Sequence, residues 1–157
     1  MSGASQGVMI LLMLIGGSPG STAGGLKTTA LAVLFLSILS VFKKRKSVEA
    51  FKHRVEDDAL RHASCIMMVL LLLVFASTVA ISAIDGIGVK EALFEVVSAI
   101  ATVGLSLGVT AELSAASHII LILLMYIGRV GGITILVAFG SRRITSASQW
   151  PAGKITI

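Results

Sequence analysis

The chain has little charge and one cysteine, and each shortage removes a class of protein. Charged residues are 13% of 157, about half of the roughly 25% usual in soluble domains. Hydrophobic residues make up 55% and the mean hydropathy is +0.98, so the chain is read as an integral membrane protein. A single cysteine, Cys65, excludes an internal disulfide, and at the head of an apolar run it is expected to be a buried, inert thiol. The three histidines, His53, His62 and His118, are scattered and offer neither a metal-ligand spacing nor a nucleophile, base and orienter set, so no enzyme is expected. Gly20 and Gly25 have the glycine spacing of a phosphate-binding loop, but Leu26 stands where its lysine belongs and Lys27 comes one residue late. The net charge of +5 is bunched between apolar segments, which marks membrane topology and not a nucleic-acid surface. No basic residue lies in residues 1 to 6, and no cleavable signal peptide is expected.

What is present is hydrophobicity broken in one place. Between apolar runs at residues 8 to 15 and 26 to 42 lies Gly16-Gly17-Ser18-Pro19-Gly20-Ser21-Thr22-Ala23-Gly24-Gly25. Proline lacks a backbone donor and clashes with the preceding turn, and glycine is the costliest residue to order, so a helix cannot continue through this stretch. At membrane depth, non-helical backbone is tolerated only where protein buries it or where it lines a water-filled cavity. The loop therefore points to a permeation path. Lys27, beside it, is costly against lipid and is expected to face protein, water or the loop.

Residues 8 to 15 make about 12 Å of helix, short of the roughly 30 Å hydrocarbon core, whereas residues 26 to 42 can reach the membrane surface. Lys43-Lys44-Arg45-Lys46 opens a basic link through residue 61, which the positive-inside rule places in the cytoplasm. The link reads as a solvated connection, with a docking surface for a cytoplasmic partner as the alternative, and His53 and His62 read as polar residues at the interface. Residues 63 to 84 carry no charge and form the clearest spanning helix, ending outside at Asp85-Gly86-Ile87-Gly88. Residues 89 to 101, with Lys90, Glu91 and Glu95, form a helix of about three turns, too short and too charged at its start to cross. Residues 117 to 139 are again long enough to span. They begin with His118 at the interface and end at Arg142-Arg143, which heads a cytoplasmic tail at residues 141 to 157.

Both basic clusters lie inside only if residues 89 to 110 enter and leave the membrane on one face, so that segment is expected to be re-entrant. A short helix followed by Thr102-Val103-Gly104-Leu105-Ser106 has the outline of a pore helix and filter loop. The carbonyl end of its dipole favours a cation, and Gly104 accepts positive φ, which lets successive carbonyls turn toward one axis. The T-V-G-L string gains its meaning from this position.

I-L-L-M-L-I-G-G at residues 10 to 17 matches I-L-L-M-Y-I-G-R at residues 122 to 129 almost residue for residue, the mark of a duplicated unit. The match puts Arg129 at the depth where the first copy breaks into the glycine loop. A mid-helix arginine costs about 2.5 to 3.5 kcal/mol and needs acceptors. Loop carbonyls and the hydroxyls of Ser18, Ser21 and Thr22 are candidates, and snorkelling to the cytoplasmic surface is the alternative. The first unit's own outer helix and re-entrant helix are expected before Met1, so the sequence reads as the C-terminal part of a longer pore protein.

Three strings, I-G-G-S-P-G-S-T-A-G-G-L-K-T at residues 15 to 28, T-V-G-L-S at 102 to 106 and I-G-R-V-G at 127 to 131, together resemble the membrane subunits of the Trk/Ktr/HKT potassium transporter superfamily, nearest the bacterial Ktr type. The resemblance implies an all-α integral membrane fold of helix, re-entrant pore helix and helix repeats, of which the chain covers about the last one and a half. Residues 1 to 42 would be the second helix of the third repeat, broken by an intramembrane gating loop at residues 16 to 25. Residues 43 to 61 would be the cytoplasmic link and residues 62 to 140 the fourth repeat. Thr102, Val103, Gly104 and Leu105 would form its part of the potassium filter, and Arg129 would be a pore arginine facing the gating loop.

The same resemblance implies K+ as cargo with no covalently bound cofactor, sodium or proton coupling being left open. It implies a homodimer in the lipid bilayer of the cell membrane, multi-pass with its C-terminus cytoplasmic, and a cytoplasmic nucleotide-binding regulatory subunit as partner. Potassium uptake is the expected function. The alternative is a truncated accessory membrane subunit that assembles with other pore segments and does not conduct alone.

Overall fold

The computed structural model describes residues 3–18, 20–21, 23–44, 49–50, 53–55 and 57–130. Pro19, Thr22, the later part of the expected span at residues 117 to 139, and the Arg142-Arg143 tail lie outside them.

Five helices carry the described chain: α1 (Gly3–Leu14), α2 (Thr28–Phe42), α3 (Asp57–Asp85), α4 (Val89–Ile100) and α5 (Ala115–Val130). A two-residue antiparallel pair, Glu49–Ala50 with His53–Arg54, folds the basic link back on itself. A single turn of 3₁₀ helix, Thr110–Glu112, lies on the return from α4 to α5. Among the described residues one helix is long and apolar enough to cross a membrane by length and composition, over Asp58–Asp85 with mean hydropathy 2.6. At 29 residues it reaches roughly 43 Å. It begins six residues before the expected start at 63, inside what reads as link, because no proline or glycine interrupts residues 57 to 62 and Asp58 in the first turn suits the positive end of the dipole. α5 begins at Ala115, two residues before its expected start, where the Ser117 amide reaches Ser114 Oγ at 3.4 Å as the cap.

α4 is the helix the others gather around: α1, α3 and α5 all pack on it, and Ala92 and Phe94 through Ile100 are buried. Its Ala, Val and Ser positions are slim enough to let three helices approach at once. The outward faces, by contrast, are apolar: Leu11, Phe35, Phe42, Leu72, Phe75 and Ile122 are all exposed on the single chain. Patches of that extent belong against lipid or further protein. Cys65 falls on such a face and is exposed, not the buried thiol expected, because α3 turns Ala63, Leu70 and Val74 inward and leaves Cys65 on the other side.

Candidate functional site

The apolar path from α1 to α2 is interrupted without being turned round. Ile15 and Leu26 form a parallel bridge, in which the Gly16 amide donates to Leu26 O at 2.7 Å and the Leu26 amide to Leu14 O at 3.3 Å. Parallel pairing means that the chain resumes in the direction it left, so the glycine stretch bulges out of one continuing path. The neck is tight. A Cβ on Gly16 would meet the carbonyl oxygens of Gly24 and, at 2.9 Å, of Leu26. Inside the loop the Ser21 amide donates to Ser18 O at 3.0 Å, and Gly20 and Gly25 take positive φ. Lys27 closes it from the α2 side, with Nζ donating to Ser21 O at 3.0 Å and Ala23 O at 2.8 Å. The lysine therefore faces the loop, one of the environments its cost in lipid demands.

α4 ends in a Schellman motif. The Thr102 amide donates to Ala99 O and the Val103 amide to Ser98 O, both at 3.0 Å. Glycine is the usual residue at the left-handed position of this motif, yet here it is Thr102, at φ +55. A β-branched residue there costs about 1–2 kcal/mol and persists only where the surroundings hold it. The holding contact is visible: the Gly24 amide donates to Thr102 Oγ1 at 2.9 Å. Two strings 78 residues apart in sequence, the glycine loop and T-V-G-L, meet in this bond.

A second close approach reinforces the junction. A Cβ on Gly24 would lie 2.8 Å from Ile100 O, and one on Gly128 would overlap the same oxygen. The last carbonyl of α4 is thus packed between the bare backbones of the glycine loop and of α5. Gly128, which the sequence offers only as part of a string, is needed for that approach. Next to it, in the last turn of α5, Arg129 lines a cavity of about 410 Å³ together with Thr102, Gly104 and Leu105. On the other side Val103 and Leu105 line a second cavity, about 440 Å³, with Gly16, Gly17 and Met13. Gly104 takes φ +81, the positive φ expected of it, and projects into open space. The T-V-G-L segment therefore stands between two cavities, one bordered by Arg129 and one by the neck of the glycine loop. Ser18 and Gly20 are exposed.

Sequence reasoning misses Glu95. There it stands out only as a charge that bars crossing, whereas the structure buries it to 5% exposure, hydrogen-bonded to the segment after T-V-G-L. A lone acidic residue in an otherwise apolar stretch of helix is the signal available. Asp85 does comparable work at the end of α3, where it receives the Ser114 amide at 3.0 Å and ties α3 to the head of α5.

A short buried helix, a strained turn at its end and a glycine loop latched to that turn, all set among helices with apolar outward faces, define a helical protein of membrane character. Residues 1–148 match the family described as TrkH, cation transport protein, and the chain belongs to that family. It is similar to Ktr system potassium uptake protein D of Bacillus subtilis, 36% identical over 146 residues that are 93% of this chain and 32% of the relative. It is also similar to potassium/sodium uptake protein NtpJ of Enterococcus hirae, 39% identical over 140 residues, 87% of this chain and 31% of that one. Ktr system potassium uptake protein B of Vibrio alginolyticus is 35% identical over 128 residues, 82% and 28% respectively. The chain spans about a third of the length of these relatives. Its family is one of membrane transporters and not a class of enzymes.

Proposed function

We propose that the chain forms part of a potassium uptake path, with Thr102, Val103, Gly104 and Leu105 as one segment of its filter, residues 16 to 25 as the gating loop and Arg129 as a cationic barrier beside them. The observation that carries this reading is the 2.9 Å bond from the Gly24 amide to Thr102 Oγ1, which joins gate to filter. A dehydrated cation is stabilised by carbonyl dipoles that replace its water shell. α4 presents the negative end of its dipole to that place. Leaving the filter, the ion passes the glycine loop and Arg129, and displacement of the loop, transmitted through α2 from the basic link, opens the way.

The topology that goes with this reading has α3 crossing outward, α4 re-entrant, and α5 returning so that the C-terminus is cytoplasmic in a multi-pass cell-membrane protein. Names of the relatives support potassium as cargo, with sodium also carried in the case of NtpJ. Homodimerisation and a cytoplasmic nucleotide-binding regulatory subunit belong to the same proposal; what the relatives' names support is the coarser statement that such a membrane subunit works within a Ktr system.

Rubidium and sodium uptake by transport-deficient cells expressing the native gene product tests it. Rubidium uptake is expected, and Gly104→Ser is expected to weaken its preference over sodium. Unchanged selectivity in that variant at normal expression counts against the filter assignment, and no rubidium uptake by the unaltered protein favours an accessory subunit.

A further inference from the structure

We propose that Glu95 is a positioning residue that fixes the far end of the filter segment, a role that rests on the reading of residues 102 to 105 as filter. In α4 the carboxyl is 5% exposed. A carboxyl removed from water persists only where donors satisfy it, and every donor here comes from one stretch of chain. Oε1 accepts the Ser106 hydroxyl at 2.6 Å and the Leu107 amide at 3.1 Å, and Oε2 accepts the Thr110 hydroxyl at 2.7 Å. Ser106 Oγ in turn accepts the Gly108 amide at 2.9 Å and lies 2.6 Å from Thr110 Oγ1. The polar groups of residues 106 to 110 thus converge on a single side chain.

This closes a loop that begins and ends on α4. Its near end is held by the Schellman bonds of Thr102 and Val103, and its far end by Glu95. Between the two anchors Val103, Gly104 and Leu105 are exposed, with no helix or strand to set their positions. Where carbonyl spacing discriminates between ions, fixing both ends of the segment is what holds the spacing. Releasing the far end leaves the helix bundle in place and lets the segment adapt to an ion of another size.

The readout is the ratio of rubidium to sodium uptake by transport-deficient cells expressing the native gene product, with protein in the membrane measured alongside. Glu95→Gln keeps the shape but presents an amide to one set of donors, and it is expected to lower the ratio about fivefold. Thr110→Val and Ser106→Ala are expected to lower it by less, and to add little when combined with Glu95→Gln, since all three act through one network. Poor folding alone lowers both ions alike and leaves the ratio where it was. If Glu95→Gln does not reach the membrane, Thr110→Val, a smaller change at a half-buried position of the network, decides by the same ratio. An unchanged ratio in these variants, while Gly104→Ser shifts it, overturns the positioning role and leaves the filter reading intact. An unchanged ratio in Gly104→Ser as well overturns both.

Discussion

The two copies of the repeated string behave differently, and the difference lies in the residues after them and in the helices packed against them. Residues 10 to 14 end α1 and give way to the loop, whereas residues 122 to 130 remain helical through Gly128 and Arg129. Leu12 is 63% exposed and its counterpart Leu124 2%. Near-identical apolar sequence thus buries different faces, because α5 is pressed between α3 and α4 while α1 touches α4 from one side. What the copies share is the glycine: Gly16 and Gly128 both stand where a Cβ would strike a carbonyl oxygen. Beyond that shared close approach the two strings part, one leading into a loop and the other into Arg129.

Gly128→Ala should produce the largest effect. The added methyl meets backbone at Ile100, which cannot rotate away, and a loss of about 3 kcal/mol is expected in thermal unfolding of the solubilised protein. The matched change Gly16→Ala should cost less, since the loop can shift, and equal losses would break the comparison. Lys27→Met removes two bonds from a charged donor to loop carbonyls. Amide exchange over residues 21 to 24 should quicken about tenfold, as expected for a loss near 1.5 kcal/mol. Arg129→Ala should raise rubidium flux roughly fivefold, the effect of removing a charge that contributes about 1 kcal/mol to a solvated barrier. The smallest change is expected from Gly20→Ala, where φ is +87 but no atom is near, with a cost of about 1 kcal/mol or less, read as a minor shift of the same melting curve.

Much of this is legible in residues 8 to 42. Five glycines and a proline between apolar runs announce broken helix, and a lysine at the edge of lipid announces that it must find oxygens, as Lys27 does. The length of α4 is also readable, residues 89 to 101 against Val89–Ile100, since Gly88 precedes it and T-V-G comes after. Thr102 reads as filter but not as a strained cap, because the left-handed position after a helix is normally predicted from glycine or asparagine. Glu95 stays hidden for a related reason. Its partners lie 11 to 15 residues on, across a return loop that has no fixed period, so spacing alone cannot pair them. The early start of α3 escapes the sequence because charge within residues 57 to 62 looks like the end of order, when a helix can continue into water.

Whether loop and filter act together is tested most directly by concentration-dependent rubidium and sodium uptake through the native gene product carrying Thr102→Val. Valine keeps the branched shape and removes only the oxygen that receives the Gly24 amide. Both a higher flux, from a loop released on one side, and a lower rubidium preference, from a filter turn that has lost its brace, are expected. Flux and preference both equal to those of the unaltered protein would contradict their joint action.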